Sequence, residues 1–134
     1  MQADEFIGKV QQRARLSSRQ EAEDAIRAVL TTLAQRLAGG SATNLAAQLP
    51  PSVARHLRTT ETQGRQIGPD RFIEAVAERE GVEEPEAAFH TRAVFDVLED
   101  ATHGALDKVR AQLPDAFDAI FSAGTEGDMD LPED

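Results

Sequence analysis

The chain has 134 residues, which is the length of one ordinary globular domain. It has no Cys, Trp or Tyr, which excludes disulfides, thiolate metal sites and cysteine nucleophiles and leaves few rings to stack on nucleic-acid bases. The net charge is −10 at pH 7, yet residues 1–68 hold nine Lys and Arg against six Asp and Glu, whereas residues 69–134 hold five against 18.

Two helices are predicted at the start of the chain. The first has apolar residues at spacings of three and four, and it begins with acidic residues that suit the positive end of the helix dipole. The second begins at Ser18, which Glu21 follows as in a capping box, and it ends at Gly39-Gly40. The apolar face of the first helix comprises Phe6, Ile7, Val10 and Ala14.

A proline corner separates the next two predicted helices. In "LAAQLPPSV", residues 45–53, Pro50 ends a short helix and Pro51 fits the first turn of the next one. The same corner returns as "VRAQLPDAF", residues 109–117. We expect the leucine of each corner, Leu49 and Leu113, to be buried in the core.

The second half of the chain repeats the order of elements in the first. Phe72, Ile73 and Val76 stand 66 residues after their counterparts in the first helix, and "RAVF", residues 92–95, stands 65 residues after "RAVL", residues 27–30. The pattern predicts an all-α protein in which a helical unit of about four helices is duplicated in tandem and packed as one compact domain.

The repeat also predicts where each part of the chain begins and ends. The first helical repeat covers 1–58, a polar linker covers 59–68, the second repeat covers 69–121, and an acidic, disordered tail covers 122–134. Each half alone has few apolar residues from which to form a stable core, so we expect the two halves to share one core.

Several segments resemble the bacterial domain of unknown function 2267 family. They are "EFIGKV", "EAEDAIRAVLTTLAQRL" and "LAAQLP" in the first half, and "RFIEAV", "RAVFDVL" and "VRAQLPDAFDAIF" in the second. The resemblance implies a duplicated, all-helical, bacterial protein without an assigned activity; some members are joined to ligand-sensing domains. After the first corner, "RHLRTTETQGRQIG" replaces an aromatic-rich stretch that family members often carry, so properties that depend on those aromatics are not expected here.

Three histidines, His56, His90 and His103, are candidates for a chemical site. His90 follows Glu86 by four residues and His103 follows Asp100 by three, and both spacings suit metal ligation. A di-iron bundle, however, needs a Glu-x-x-His pair on each of two helices. We therefore expect solvated or helix-capping histidines, His56 included, and no metal or other cofactor.

The positions of the serines do not indicate nucleophilic catalysis. Ser17, Ser18 and Ser41 suit helix starts, and no Gly-x-Ser-x-Gly elbow or phosphate-binding glycine loop is present in the sequence. We therefore expect a protein that is not an enzyme, with no catalytic residues.

A basic cluster is the candidate binding surface. Arg13, Arg15 and Arg19 cross the turn between the first two predicted helices, and with Lys9, Arg27 and Arg36 they are expected to form a face that attracts anions or a protein partner. The simpler interpretation is that the charge asymmetry only keeps the protein in solution.

These observations favour a non-enzymatic helical interaction module that associates with itself or with another protein. Two alternatives stay open: a basic face in the first half that binds an anionic partner such as nucleic acid, and a small hydrolase or metal-dependent enzyme with an unrecognised site. No signal peptide, span of about 20 apolar residues or small-molecule motif is evident, so we expect a cytoplasmic protein without a membrane partner.

Overall fold

The computed structural model describes residues 1–37, 40–58, 67–102, 104–113 and 117. Within these ranges the chain forms seven α-helices and no strand, which confirms the all-α prediction. The helices are α1 (Ala3–Arg13), α2 (Arg19–Arg36), α3 (Ser41–Ala47), α4 (Pro51–Arg58), α5 (Pro69–Glu80), α6 (Glu84–Ala101) and α7 (Ala105–Gln112).

The predicted cap of α2 is present. The hydroxyl of Ser18 accepts a hydrogen bond from the backbone N–H of Glu21 at 3.2 Å, which satisfies one of the free donors at the start of the helix. The Glu21 carboxylate in turn accepts hydrogen bonds from the hydroxyls of Ser17 and Ser18. These bonds, that of Ser17 first, hold the pKa of Glu21 below its ordinary value.

The first proline corner lies where the sequence predicts it. α3 ends at Ala47 and α4 begins at Pro51, so the Gln-Leu-Pro segment separates two helices. Leu113 ends α7 with extended backbone angles, φ −95° and ψ 140°, as expected of a residue that precedes proline. Leu49 and Leu113 are each 7% exposed, which confirms their predicted burial.

The two long helices, α2 and α6, contact each other at the centre of the fold. Around them, α1 packs on both α2 and α6, and so does α5; α4 packs on α2, and α3 packs on α7. Because α1 and α5 each contact the long helix of the other half, the halves share one continuous hydrophobic core. The prediction of one compact helical domain is confirmed.

The described core is aromatic on the side of the second half. Phe72 contacts Phe95 with ring centroids 6.0 Å apart and Phe117 with centroids 5.7 Å apart in an edge-to-face arrangement. The described residues do not include Gly39, most of the linker, most of the eighth predicted helix or the acidic tail. The tandem duplication and its boundaries stay predictions.

Candidate functional site

Arg13 of the predicted basic cluster joins the two halves. One of its guanidinium nitrogens lies 2.7 Å from the carboxylate of Asp100 and the other lies 3.4 Å from that of Asp96. Lys9, one turn earlier on α1, lies 3.9 Å from Asp100. Part of the positive charge of the first half is therefore neutralised by carboxylates of the second half, where α1 packs on α6.

Arg15 and Arg19 have other partners. Arg15 follows α1 in the left-handed backbone region, with φ +56°, and its guanidinium lies 5.4 Å from the ring centroid of Phe89. The guanidinium of Arg92 lies 5.6 Å from the same centroid. Arg19 binds the Asp4 carboxylate at 2.9 Å. The three cluster arginines thus have three different partners, and anion binding by them stays a prediction.

Arg36, which was expected on the basic face, is buried. Its residue is only 2% exposed, its Nε donates a hydrogen bond to the carbonyl of Ile67 at 3.1 Å, and its guanidinium lies 6.0 Å from the ring centroid of Phe117. Burial lowers the pKa of Arg36 from its ordinary value. The expectation that Arg36 belongs to an exposed basic face is wrong, because the side chain packs inside the protein.

The second half contains a buried acid–base pair. His90 Nδ1 lies 2.5 Å from the Oε2 atom of Glu80, and both side chains are 4% exposed. The other oxygen of this carboxylate, Oε1, is buried and has no hydrogen-bond partner. At this exposure neither side chain is open to a substrate, so the pair acts between α5 and α6 inside the protein.

The expectation of solvated or helix-capping histidines is wrong for His90, which is 3% exposed and packs inside the protein. Glu86, four residues before His90, is exposed, whereas Glu80 comes from the preceding helix. His103 lies outside the described residues. Among the residues that are described, no group of three or more His, Asp and Glu side chains is placed to hold a metal ion.

An acidic surface follows the turn between α5 and α6. Four carboxylates line one shallow depression there, together with Ala77, Gly81 and Val82. We name this surface the acidic edge, and its carboxylates are those of Glu74, Glu78, Glu83 and Glu84. The salt bridges within the described residues include none of these four.

A second concave surface lies between α2 and α4, and its volume is about 220 Å³. We name it the α2–α4 cleft. His56 of α4 lines it, and burial, followed by the positive charges of Arg55 and Arg27, lowers the pKa of this imidazole, whereas Glu23 opposes the shift. The surroundings of His56 therefore favour its neutral form over its charged form.

Comparison with known proteins connects the chain to one family. A family model described as "Uncharacterized conserved protein (DUF2267)" matches residues 3–120. No curated protein matches the chain. Of the helices in the described residues, none is long and apolar enough to cross a membrane.

Proposed function

Since the chain belongs to the DUF2267 family, whose description states no activity, we propose its function from the chemistry of its surface. The protein is a non-enzymatic helical interaction module, and its partner is a protein that presents a basic surface. The acidic edge receives this partner.

The observation that carries the proposal is how charges are satisfied in the two halves. Every described carboxylate of the first half has a cation or a hydroxyl beside it; these are Asp4, Glu5, Glu21, Glu23 and Asp24. The carboxylates of the acidic edge have no such ion pair in the described residues. A cluster of carboxylates that form no salt bridge in the described residues raises the local concentration of a cationic partner and its rate of association.

The shape of the acidic edge also suits a protein partner. Val82 is partly exposed and packs against the core, and Ala77 lies beside it. An apolar patch within a polar rim is the usual arrangement of a protein interface. The depression is shallow and open, which suits a side chain or a helix of a partner better than an enclosed metabolite.

The test measures binding of a short oligolysine peptide at low salt. Replacing two edge carboxylates, Glu78→Lys with Glu84→Lys, is expected to weaken binding by about tenfold or more, because two attractive charges become repulsive. Binding by the unaltered protein is expected to fall as the salt concentration rises.

The matched control makes the same change of net charge elsewhere. Glu99 lies on the same helix as Glu84, about 22 Å away at 1.5 Å per residue, and Asp107 is exposed on α7. The variant Glu99→Lys with Asp107→Lys is expected to change binding much less. Equal losses in the two double variants would show that only net charge matters and would contradict the proposal.

An anionic partner for the first half remains the second candidate. Arg15 is exposed in an uncommon backbone conformation, and Arg55 and Arg58 are exposed and make no ion pair in the described residues. Deleting residues 122–134, which carry five acids, is expected to delay elution from a heparin column. The control replaces Arg13, Arg15 and Arg19 with Gln in the truncated protein. If this variant elutes with its parent, the arginine cluster is not a binding face.

A further inference from the structure

The outer face of α5 carries charges of both signs. Arg71, Glu74 and Glu78 are exposed at spacings of three and four residues, so they lie along one face of the helix. The salt bridges within the described residues include none of the three. They line one depression with Ala75, a small, half-buried residue at the middle of the helix. We name these four residues the α5 face.

The α5 face is complementary to itself when two copies of the helix run antiparallel. Its midpoint lies between Glu74 and Ala75, and Arg71 and Glu78 lie at equal distances on the two sides of this point. In an antiparallel pair related by a two-fold axis at the midpoint, Arg71 of each copy lies opposite Glu78 of the other. One attractive contact therefore occurs twice, as in the self-complementary interfaces of cyclic dimers.

Apolar residues lie at both ends of the same surface. Ile67 lies two residues before the first residue of α5, and Val82 lies two residues after the last one. Both are partly buried and pack against the core of their own chain. The antiparallel arrangement brings Ile67 of one copy near Val82 of the other, so each charge pair has an apolar neighbour. Because such a neighbour excludes water, it strengthens the attraction between the charges.

Contacts within the chain hold α5 in place. The helix packs on both α2 and α6, and its inner side, which includes Phe72 and Ile73, is buried in the core. Beside the α5 face, the guanidinium of Arg79 donates hydrogen bonds to Thr32 and Gln35 of α2, each at 2.7 Å. The backbone of the α5 face is thus ordered before a second copy binds, which reduces the entropy cost of association.

We propose that the protein forms a homodimer in which the α5 faces of two copies pack antiparallel. Arg71 of each copy binds Glu78 of the other, and Ala75 at the centre allows the two helices to approach closely. A closed pair of this symmetry is the commonest homo-oligomer. The inference rests on the proposed function, because it names a second copy as the protein whose basic side chain contacts the acidic edge.

The test measures the mass of the full-length protein by sedimentation equilibrium at about 0.15 M salt. The screening length is then about 8 Å, which reduces the repulsion between two copies that each carry a net charge of −10. The mean mass is expected to rise toward that of a dimer as the protein concentration approaches about 1 mM, the weak end of specific association. A protein that stays monomeric over this range overturns the proposal.

Charge reversal identifies the residues at the interface. Arg71→Glu and Glu78→Arg are each expected to weaken dimerisation about tenfold or more, because both symmetric contacts become repulsive. The double variant has opposite charges at both contacts and the net charge of the unaltered protein, so it is expected to dimerise again. Arg58→Glu, on an exposed position of α4, changes the net charge as Arg71→Glu does and is expected to have little effect. A monomeric double variant, or equal losses in Arg58→Glu and Arg71→Glu, overturns the proposal.

Glu74 provides a control of opposite sign. The Glu74 carboxylates of the two copies come close together at the centre of the antiparallel pair, where like charges repel. Glu74→Gln is therefore expected to strengthen dimerisation, whereas Glu78→Gln, which removes the same charge one turn away, is expected to weaken it. Equal effects of the two variants would show that only net charge matters and would overturn the proposal.

Oligolysine binding separates this inference from the proposed function. Arg71→Glu keeps all four carboxylates of the acidic edge, so this variant is expected to bind oligolysine although it no longer dimerises. An unaltered protein that binds oligolysine but stays monomeric overturns only the dimer. A protein that dimerises through Arg71 and Glu78 but does not bind oligolysine contradicts only the proposed function.

Discussion

The first helix of each half ends in the same way but with different residues. At the end of α1 the N–H of Leu16 bonds the carbonyl of Gln11 at 2.9 Å, and at the end of α5 the N–H of Val82 bonds the carbonyl of Ala77 at 3.1 Å. Both are the six-to-one bond of a Schellman motif, which requires a left-handed residue. That residue is Gly81, with φ +77°, in the second half and Arg15, with φ +56°, in the first.

The two halves differ more strongly in the side chains beside these two helix ends. At the offsets found in the sequence, Glu80 and His90 correspond to Ala14 and Ala25, which are 1% and 0% exposed. At these two positions the first half therefore has buried alanines instead of an acid and a base. The buried pair is therefore not needed at a helix end of this kind. Removing one partner of a buried charged pair is strongly destabilising, whereas replacing both with well-packed apolar groups is often neutral or stabilising.

The largest expected effect comes from breaking the buried pair. His90→Ala leaves the Glu80 carboxylate buried without its partner and is expected to lower the free energy of unfolding by about 3–5 kcal/mol. Glu80→Ala with His90→Ala reproduces the alanines of the first half and is expected to recover a large part of this loss. Urea unfolding measures both. A double variant that is as unstable as the sum of the two single variants would show that the side chains do not act as a pair.

The two proline corners are expected to respond alike. Leu49→Ala and Leu113→Ala should each lower the free energy of unfolding by about 2–4 kcal/mol, since each removes a buried leucine side chain. The same urea experiment applies. A loss below about 0.5 kcal/mol, the size of an ordinary surface change, would show that the corner concerned is not part of the core.

Substitutions at Gly81 and Arg15, the two residues with left-handed backbone angles at these helix ends, distinguish the cost of backbone strain from the gain of side-chain contacts. Gly81→Ala meets no heavy atom within 4 Å, yet it places a Cβ in the left-handed region and is expected to cost about 1 kcal/mol of stability. Arg15→Gly relieves the same strain but removes the contact with Phe89, so we expect a smaller, stabilising change. Thermal unfolding of the two variants measures the difference. If Arg15→Gly is clearly destabilising, the contact with Phe89 outweighs the strain.

The smallest expected effect is on pH dependence. Burial, then the charges of Arg55 and Arg27, lowers the pKa of folded His56, so the unfolded chain binds its proton more readily. This contribution to stability is present above the unfolded pKa of about 6.5 and is lost as pH falls toward the lower folded pKa. His56→Gln is expected to reduce the slope of stability against pH in this acidic window. An unchanged slope between the two proteins would contradict the assignment.

The sequence by itself determined the helices and the points at which they end. Periods of three and four, the Ser18 cap, and the prolines after Leu49 and Leu113 act through neighbours within about one turn, so they can be read locally. The tandem order of the halves stays a prediction from the sequence. The basic cluster is found in the same way, but its position along the chain says nothing about which acids face it.

Only the tertiary structure decided which side chains meet. Arg13 is 87 residues from Asp100 in the chain, and their contact depends on α1 packing on α6. The burial of Arg36, the choice of Glu80 rather than Glu86 as the partner of His90, and the α2–α4 cleft likewise depend on how helices pack against one another. Local spacing constrains side chains on one helix, whereas the contacts between helices follow from the packing of apolar faces into one core, which places the polar groups beside them.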